Sequence, residues 1–447
     1  MSELPESSRQ ADVFAFSAHH YDAATGQATL SYAIDGRELV ETITFPWAPW
    51  PTDASRQAAF FQALELLHLI AGVSYYKAVL ASDMDLSQCR VEPQVADFLT
   101  TLYEQGLAEF AYVNDLDISQ LVKFKSNSDR PVSGFDLNLP GRALVAMGGG
   151  KDSLVCLELL RDAGIEVQPV CVGGSTLIGD TAKAAGLPLI RIGRQISPLL
   201  SELNAEGAWN GHVPVTAINS AILVCAAILY GYSYVVFANE ASADEATLTD
   251  ADGNEVNHQY SKSLAFEQAF RQVTQQRVSA DIEYFSLLRP YSEVAITSRF
   301  AQLRCYHPVF SSCNRNFHLG GSRIEGRWCG QCPKCRFAAL ALAPFLTAAQ
   351  LIDIQGTDLL NREDQMDGFR ELCGLDSDKP FECVGSIAES RSAFQALAGM
   401  KDWSDKAVVA EFGQLPEIQQ AGKLALEPDF SSPHCIPPHI LSRLSAL

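Results

Sequence analysis

Apolar and polar positions alternate along the first part of the chain, which is the period of half-buried β-strands. Asp35-Gly36 separates two of these segments and is a two-residue signal for a hairpin turn. Helical spacing follows: Asp53 is a candidate cap for a helix that runs to Gly72, and a second helix is expected over 95–110. The predicted strands are 13–18, 29–34 and 38–45.

The stretch from Lys123 to Pro140 is polar and contains two prolines, as linkers often do. We therefore expect residues 1–138 to form a separate N-terminal α+β domain. From Gly141 onward, strands and helices alternate, which predicts an α/β domain with a doubly wound parallel sheet over 139–345. A helical C-terminal region is expected over 346–447. The strands predicted in the α/β domain are 143–147, 165–172, 188–192 and 233–238.

Composition narrows the class of protein. The 447 residues are enough for two or three domains, and the net charge of −20 argues against nonspecific binding to nucleic acid or membranes. The apolar stretch 221–238 is interrupted by polar residues, so we expect a buried helix and a strand there instead of a membrane span. Residues 1–12 carry no signal-peptide core, and the 12 cysteines then predict reduced thiols in a cytoplasmic protein.

The most informative segment is 143–153, in which a short apolar strand, three glycines and Lys-Asp-Ser at a helix start follow one another. Glycines let the backbone approach a ligand and turn its N–H groups inward, and a helix N-terminus adds partial positive charge. The segment therefore predicts a phosphate cradle, and a plain glycine turn is the alternative. It is not a Walker loop, because Asp152 directly follows Lys151, and Ser153 rules out G-x-G-x-x-G.

This segment resembles the S-G-G-x-D-S loop of the PP-loop ATP pyrophosphatases, with Gly148 in place of the first serine. Those enzymes cut ATP between the α- and β-phosphates and transfer AMP to an oxygen of the substrate. The resemblance implies a PP-loop/HUP-like sheet that binds ATP. The candidate nucleotide-binding residues in the loop are Gly148, Gly149, Gly150, Lys151, Asp152 and Ser153.

A cysteine cluster lies C-terminal to the glycine loop. The run Cys329-x2-Cys332-x2-Cys335, with Cys313 upstream, matches the ligand type and spacing of a closed, structural four-thiolate Zn²⁺ site. An iron–sulfur cluster and plain buried thiols are the alternatives. A four-cysteine zinc site after a PP-loop also resembles the 7-cyano-7-deazaguanine synthases, which adenylate a carboxylate.

Further polar residues stand where a ligand is expected. Thr216 and Asn219 lie near the start of an apolar helix, where they are suited to phosphate or carboxylate, although simple capping explains them equally well. Asn239 and Glu240 follow the predicted strand 233–238, and Asp244 comes soon after. Carboxylates at that edge are candidate ligands for Mg²⁺ on the ATP phosphates, with a solvated loop as the alternative.

Two compact segments supply candidates for proton transfer. His258 and Lys262 lie in the donor-rich run 257–263, and either is a candidate acid or base. Cys383 in the segment 379–385 is a candidate proton carrier. The alternatives are a structural histidine, a lysine that contacts phosphate and an inert buried cysteine.

Together these segments resemble the UDP-N-acetylmuramoyl-L-alanyl-L-glutamate epimerase family, MurL, over nearly the whole chain. The resemblance implies inversion of the terminal L-Glu of a UDP-MurNAc-dipeptide to D-Glu, with ATP and Mg²⁺ (or Mn²⁺), release of AMP and pyrophosphate, and a role in peptidoglycan synthesis. The catalytic candidates are an inference from the residues themselves: Glu240, His258, Lys262 and Cys383. The resemblance fixes neither the base, nor the residues that hold UDP, nor the oligomeric state.

Two other classes of protein fit the same motifs. One is a different PP-loop enzyme, such as an amide ligase or a nucleobase or tRNA modifier, and the acidic chain without an RNA-binding module argues against tRNA. The other is a non-catalytic, zinc-stabilised nucleotide sensor. Release of AMP and pyrophosphate with candidate substrates distinguishes the three.

Overall fold

A computed structural model describes residues 11–130, 132–245, 248–249, 255–316, 324, 326–375, 380, 382 and 384–446. Strands and helices alternate through the middle of the chain, and helices dominate its C-terminal part. The strands are β1 Val13–Asp22, β2 Gln27–Ile34, β3 Arg37–Thr44, β4 Asp83–Asp85, β5 Arg142–Ala146, β6 Glu166–Val172, β7 Ile190–Gln195, β8 Tyr234–Phe237, β9 Leu248–Thr249, β10 Glu255–Val256 and β11 Glu283–Ser286.

The helices begin and end with several of the expected signals. Asp53 caps the first helix, since its carboxylate accepts the N–H of Arg56 at 2.8 Å, and Ser386 and Glu389 form a capping box on α14. The helices are α1 Ala54–Ala71, α2 Val73–Val79, α3 Pro93–Gly106, α4 Ala108–Val113, α5 Lys151–Asp162, α6 Thr176–Ala184, α7 Leu199–Ala205, α8 Val215–Tyr230, α9 Leu264–Arg277, α10 Glu293–Gln302, α11 Pro333–Leu342, α12 Ala348–Gln355, α13 Met366–Leu372, α14 Ile387–Ala398, α15 Ala407–Phe412, α16 Pro416–Gln419 and α17 Pro438–Leu444.

The expected α/β class is confirmed by one nine-stranded sheet in the order β11-β8-β5-β6-β7-β3-β2-β1-β4. Strands β5, β6, β7, β8 and β11 are parallel to their neighbours within this group. Their order is that of a doubly wound sheet. From β5 the chain adds β6 and β7 on one side and then returns to add β8 and β11 on the other, so the strand order reverses between β5 and β8. In such sheets the crevice at the carboxyl ends of the two strands beside the reversal is the usual ligand site.

The N-terminal strands extend the central sheet. β3 pairs antiparallel with β7, with Thr44 opposite Gly193, and β2 and β1 continue the sheet outward. The polar stretch expected as a linker also packs on the α/β part. The N–H groups of Gly134 and Phe135 donate to backbone oxygens at the end of α9, at 2.8 and 2.9 Å.

Two hydrophobic cores cover the two faces of the sheet. One contains α8 and α9 together with α1, α2 and α3 of the N-terminal part, and the other contains α5, α10, α11 and α14. The apolar stretch 221–238 is a buried helix followed by a strand, as expected. The run Ala54–Val79, which spans α1 and α2, is long and apolar enough to cross a membrane, yet 78% of its most apolar window is buried in the fold. A core helix passes the same test.

Candidate active site

The glycine loop lies at the crevice where the sheet order reverses. It joins β5 to α5, and Gly149 has a φ of +79°, a conformation that glycine adopts without the steric cost of a Cβ. At Gly150 a Cβ would lie 3.2 Å from the Ser312 hydroxyl, so the loop packs closely on that segment. A Cβ at Gly148 would meet nothing within 4 Å. The loop therefore has the turn and the position that a phosphate cradle requires.

Lys151 is held inside this crevice by acidic side chains. Its ammonium group is buried, 2.5 Å from the carboxylate of Asp152, and it forms a second ion pair with Glu293 at the start of α10. The Ser153 hydroxyl turns back to donate to the Gly150 carbonyl at 3.1 Å. Of the predicted loop residues, Lys151 is therefore paired with protein carboxylates. About a third of the Asp152 side chain is exposed.

Four carboxylates meet around Lys151. Glu240 follows β8 and caps the short turn 241–244, accepting from the Ser242 N–H and hydroxyl at 2.5 and 2.7 Å. Glu389 of α14 accepts the N–H of Glu293 at 2.7 Å, so the C-terminal region closes the crevice. Asp152 and Glu293 complete the group, which we call the carboxylate cluster: Asp152, Glu240, Glu293 and Glu389.

The carboxylate cluster carries more negative charge than Lys151 neutralises. Burial raises the pKa of Glu240 to about 7, and the charges of Glu389 and Asp152 add to the shift. Burial also raises the pKa of Glu293, against the opposing effect of Lys151. Carboxylate oxygens are the ligands that Mg²⁺ prefers, and a buried excess of negative charge favours a cation. Carboxylates in such surroundings suit a divalent cation that is held in addition by phosphate oxygens.

The four cysteines expected to share a metal do lie together. The sulfur atoms of Cys313, Cys329, Cys332 and Cys335 are all within 4.8 Å of one another. Gln355 donates to the Cys335 carbonyl at 3.1 Å and fixes the turn that carries the last two sulfurs. This donor set fits tetrahedral Zn²⁺ with no open position.

A second polar group lies further along the carboxyl edge of the sheet. Glu109 of α4 forms an ion pair with Nδ1 of His258 and lies 3.3 Å from Nδ1 of His212. The two imidazole centroids are 4.7 Å apart. Three separate segments therefore bring together what we call the histidine pair, His212 and His258, on one carboxylate.

Arg289 connects the carboxylate cluster to the segment that carries His258. Its guanidinium donates to the carbonyl of Glu240 at 2.9 Å and also to the carbonyl of Lys262. Asn257 donates to the carbonyl of Ala243 at 3.0 Å, so the same loop packs directly on the turn after Glu240. The carboxylate cluster and the histidine pair are therefore parts of one continuous polar edge.

The remaining predicted residues have simpler surroundings. Thr216 and Asn219 are half-buried on the first turns of α8, and Asn239 donates to the Ser286 hydroxyl at 3.0 Å. The Lys262 ammonium is 3.3 Å from the Gln259 side chain. Cys383 lies outside the described residues. Sequence reasoning did not identify Glu109, Glu293 or Glu389, because each reaches the site from a segment with no motif of its own.

Comparisons with known proteins give one family. A family model described as the MurL N-terminal domain matches residues 5–287, and one described as the MurL C-terminal domain matches residues 309–425. A protein of Xanthomonas oryzae pv. oryzae is 46% identical over 98% of each chain. Proteins of Salinispora tropica and a Micromonospora species are each 41% identical, over 91% and 97% of this chain and 89% and 98% of their own. All three are named UDP-N-acetyl-alpha-D-muramoyl-L-alanyl-L-glutamate epimerase.

Proposed function

This chain belongs to the MurL family, and we propose that it inverts the terminal L-Glu of UDP-MurNAc-L-Ala-L-Glu to D-Glu for peptidoglycan synthesis. The support is the name that its relatives share and their similarity over nearly the full length. The proposed mechanism rests on one observation, the glycine loop beside the carboxylate cluster. Together they suit a nucleoside triphosphate and its cation.

Inversion of an amino acid next to a free carboxylate needs activation. Removal of the α-hydrogen would place a second negative charge beside the carboxylate, so that hydrogen is very weakly acidic. We propose that the α-carboxylate attacks the α-phosphorus of ATP, forming an acyl-adenylate and releasing pyrophosphate. The carbonyl of this mixed anhydride no longer bears the carboxylate charge and accepts electron density. A base removes the proton from the anhydride itself or from the oxazolone into which it closes, and protonation on the other face inverts the carbon. Water then restores the carboxylate, and the products are the D-Glu dipeptide and AMP.

The crevice supplies the groups that this first step needs. The N–H groups of Gly149, Gly150 and the start of α5 are proposed to hold the β- and γ-phosphates, with the partial positive charge of the helix behind them. Asp152 and Ser153 open the helix on the same side. Thr216 and Asn219 on the first turns of α8 are proposed to contact the nucleotide or the activated carboxylate.

The carboxylate cluster is proposed to hold Mg²⁺ or Mn²⁺. The accessible carboxylate of Asp152 and the buried carboxylates of Glu240, Glu293 and Glu389 supply the oxygen donors. The cation, when bound, neutralises the phosphate charge that would otherwise oppose attack by the substrate carboxylate. With this role, Glu240 is proposed for cation binding, because its carboxylate lies near enough to Asp152 and Glu389 for their charges to affect its pKa.

The zinc site is proposed as structural. Four thiolates leave no open position for a substrate, and the cluster stands beside the glycine loop, where it stabilises the backbone. Acid–base work is proposed for the loop of His258, with Lys262 as a further candidate. No nucleic-acid or membrane partner is proposed, and the place of the reaction is the cytoplasm, where the nucleotide-linked substrate and ATP are expected.

One assay tests the proposed function against the other two classes. The purified protein is incubated with UDP-MurNAc-L-Ala-L-Glu, ATP and Mg²⁺, and AMP, pyrophosphate and the configuration of glutamate are measured. We expect AMP and pyrophosphate in equal amounts together with D-Glu in the dipeptide. An amide ligase would instead consume an amine and give an amide, whereas a sensor would bind ATP and release neither product.

A further inference from the structure

We propose that His212, together with His258 and oriented by Glu109, is the acid–base centre that exchanges the α-hydrogen of the glutamate. This inference rests on the proposed function for the identity of the substrate. It assigns a second histidine and a carboxylate to a step for which the sequence offered only single candidates. The assignment follows from how the three side chains bind one another.

The Glu109 carboxylate favours one tautomer of His212. A carboxylate stabilises a nearby N–H group and repels a nearby lone pair. Nδ1 of His212 lies 3.3 Å from Glu109, a distance at which the carboxylate favours the proton on Nδ1 and the lone pair of the neutral ring on Nε2. That Nε2 atom has no hydrogen-bonding partner within the described part of the chain. His212 therefore presents a free basic nitrogen on a half-buried ring.

The buried position of His212 determines its charge at neutral pH. Burial and the charge of His258 lower the pKa of His212 to about 4, so His212 is neutral. Burial of Glu109 opposes its ionisation, but the hydrogen bond and charge of His258 outweigh that effect and lower the pKa of the carboxyl. His258 and Glu109 thus form an ion pair beside a neutral base. A neutral base held beside this carboxylate suits removal of the α-hydrogen from one face of the carbon.

The surroundings favour an anion over a metal ion at this point. Two histidines and a glutamate are also a common metal-ligand set, and their ligand atoms lie within 4.8 Å of one another. However, Lys262 and Lys77 are close enough for their charges to lower the pKa of His212, and the same charges repel a cation. Lys77 is buried and donates to Asn210 and the Gly211 carbonyl at 3.1 and 3.3 Å. The positive potential of these two lysines favours an enolate or a carboxylate of the substrate at this point.

The spacing of the rings assigns them to one side of the substrate. A centroid separation of 4.7 Å leaves no room for a tetrahedral carbon between them. The histidine pair therefore acts as a unit on one face, with Nε2 of His212 meeting the α-hydrogen and the His258–Glu109 ion pair adjusting its basicity. Glu109 is accordingly a positioning residue, and His212 is the catalytic residue.

The test separates adenylation from proton exchange. For His212→Asn and Glu109→Gln, two rates are measured: pyrophosphate exchange into ATP, and exchange of the substrate α-hydrogen in D2O. The control is His307→Asn, which removes a half-buried imidazole that lies 3.3 Å from the Phe300 carbonyl oxygen and packs on the Phe300 ring, outside the carboxylate cluster and the histidine pair. We expect α-hydrogen exchange to fall about 10²- to 10⁴-fold in His212→Asn, while pyrophosphate exchange stays near the wild-type rate.

Glu109→Gln has a second readout, the pH–rate profile of α-hydrogen exchange. The Glu109 charge raises the pKa of His212, so its removal should move the whole profile to lower pH. Wild-type α-hydrogen exchange in His212→Asn, or a parallel loss of both reactions in that variant, would overturn the proposal. Failure of the proposed function looks different, because the wild-type protein itself would then give no pyrophosphate exchange with this substrate.

Discussion

The N–H of Ser311 donates to the carbonyl oxygen of Gly149 at 3.1 Å, so the glycine loop is bonded to the segment that carries Cys313. Two residues further on, the Cys313 N–H donates to the Ser311 hydroxyl oxygen at 3.1 Å. That hydroxyl in turn donates to the Arg327 carbonyl at 2.6 Å, two residues before Cys329. The cysteine cluster and the phosphate cradle therefore share one hydrogen-bonded support.

The first prediction follows from this support. Cys332→Ser should remove about one zinc per chain and weaken ATP binding, because the segment that fixes Gly149 is released. Metal analysis and ATP titration on the same samples measure both effects, with Cys305→Ser as the control, since Cys305 is exposed and outside the cluster. Iron and labile sulfide in anaerobically purified protein would contradict the zinc assignment.

The second prediction concerns the nucleotide. The double variant Asp152→Asn, Ser153→Ala should abolish AMP formation, because it removes polar groups at the start of α5. It should keep the fold, because both replacements are close in size to the original side chains and Lys151 retains its ion pair with Glu293. AMP release and thermal unfolding are measured side by side. Normal turnover by the double variant would remove the assignment of ATP to this loop.

The third prediction is a pH dependence of cation binding. Glu240 has a pKa raised to about 7, so protons compete with Mg²⁺ for the carboxylate cluster below that pH. The affinity for Mg²⁺ should rise steeply between about pH 6 and about pH 8, and Glu389→Gln should weaken binding throughout that range. Isothermal titration with Mn²⁺ measures both, and a pH-independent affinity would speak against the cluster as ligand.

The same raised pKa also affects stability without a cation. A carboxyl whose pKa is raised in the folded state contributes its stability at low pH and loses it as pH rises through the folded value. For Glu240 the loss falls between about pH 4.5 and about pH 7. The cation-free protein should therefore have a lower melting temperature near pH 8 than near pH 5.5. Mg²⁺ should restore the stability that is lost near pH 8.

The fourth prediction addresses why the glutamate is acylated. An N-acyl amino acid with an activated carboxyl can close to an oxazolone, with the alanine carbonyl oxygen displacing AMP. The ring α-hydrogen is far more acidic because its carbanion is delocalised, so a modest imidazole base suffices. A substrate with that C=O reduced to CH2 should be adenylated without epimerising. Inversion of this analogue at a comparable rate would establish direct enolisation instead.

Local motifs account for the part of the site that the sequence predicts. Gly148–Ser153 and Cys329–Cys335 carry their geometry in adjacent residues, and the structure brings the four cysteines together as their spacing predicts. The loop after β8 lies at the carboxyl edge of the parallel strands, as the strand–helix alternation predicts. The role of the loop in ATP binding and the zinc itself remain predictions.

What the sequence did not predict depends on pairings between distant segments. Nothing near Glu109 indicates that α4 will pack against His258. From the sequence, Glu389 is recognisable only as the N3 residue of a capping box. The pairing of β3 with β7 likewise depends on two cores forming on the two faces of one sheet. Such contacts depend on tertiary packing, and they produce no periodic pattern of apolar residues in the sequence.

The central claim is ATP-dependent inversion at the glutamate α-carbon, and one isotope measurement tests it most directly. UDP-MurNAc-L-Ala-L-Glu is incubated with the protein and Mg²⁺ in D2O, with and without ATP, and deuterium at that carbon is determined by mass spectrometry and NMR. The account predicts D-Glu product that carries solvent deuterium only when ATP is present and AMP is formed. Inverted product without ATP, or inverted product that contains no solvent deuterium, would contradict it.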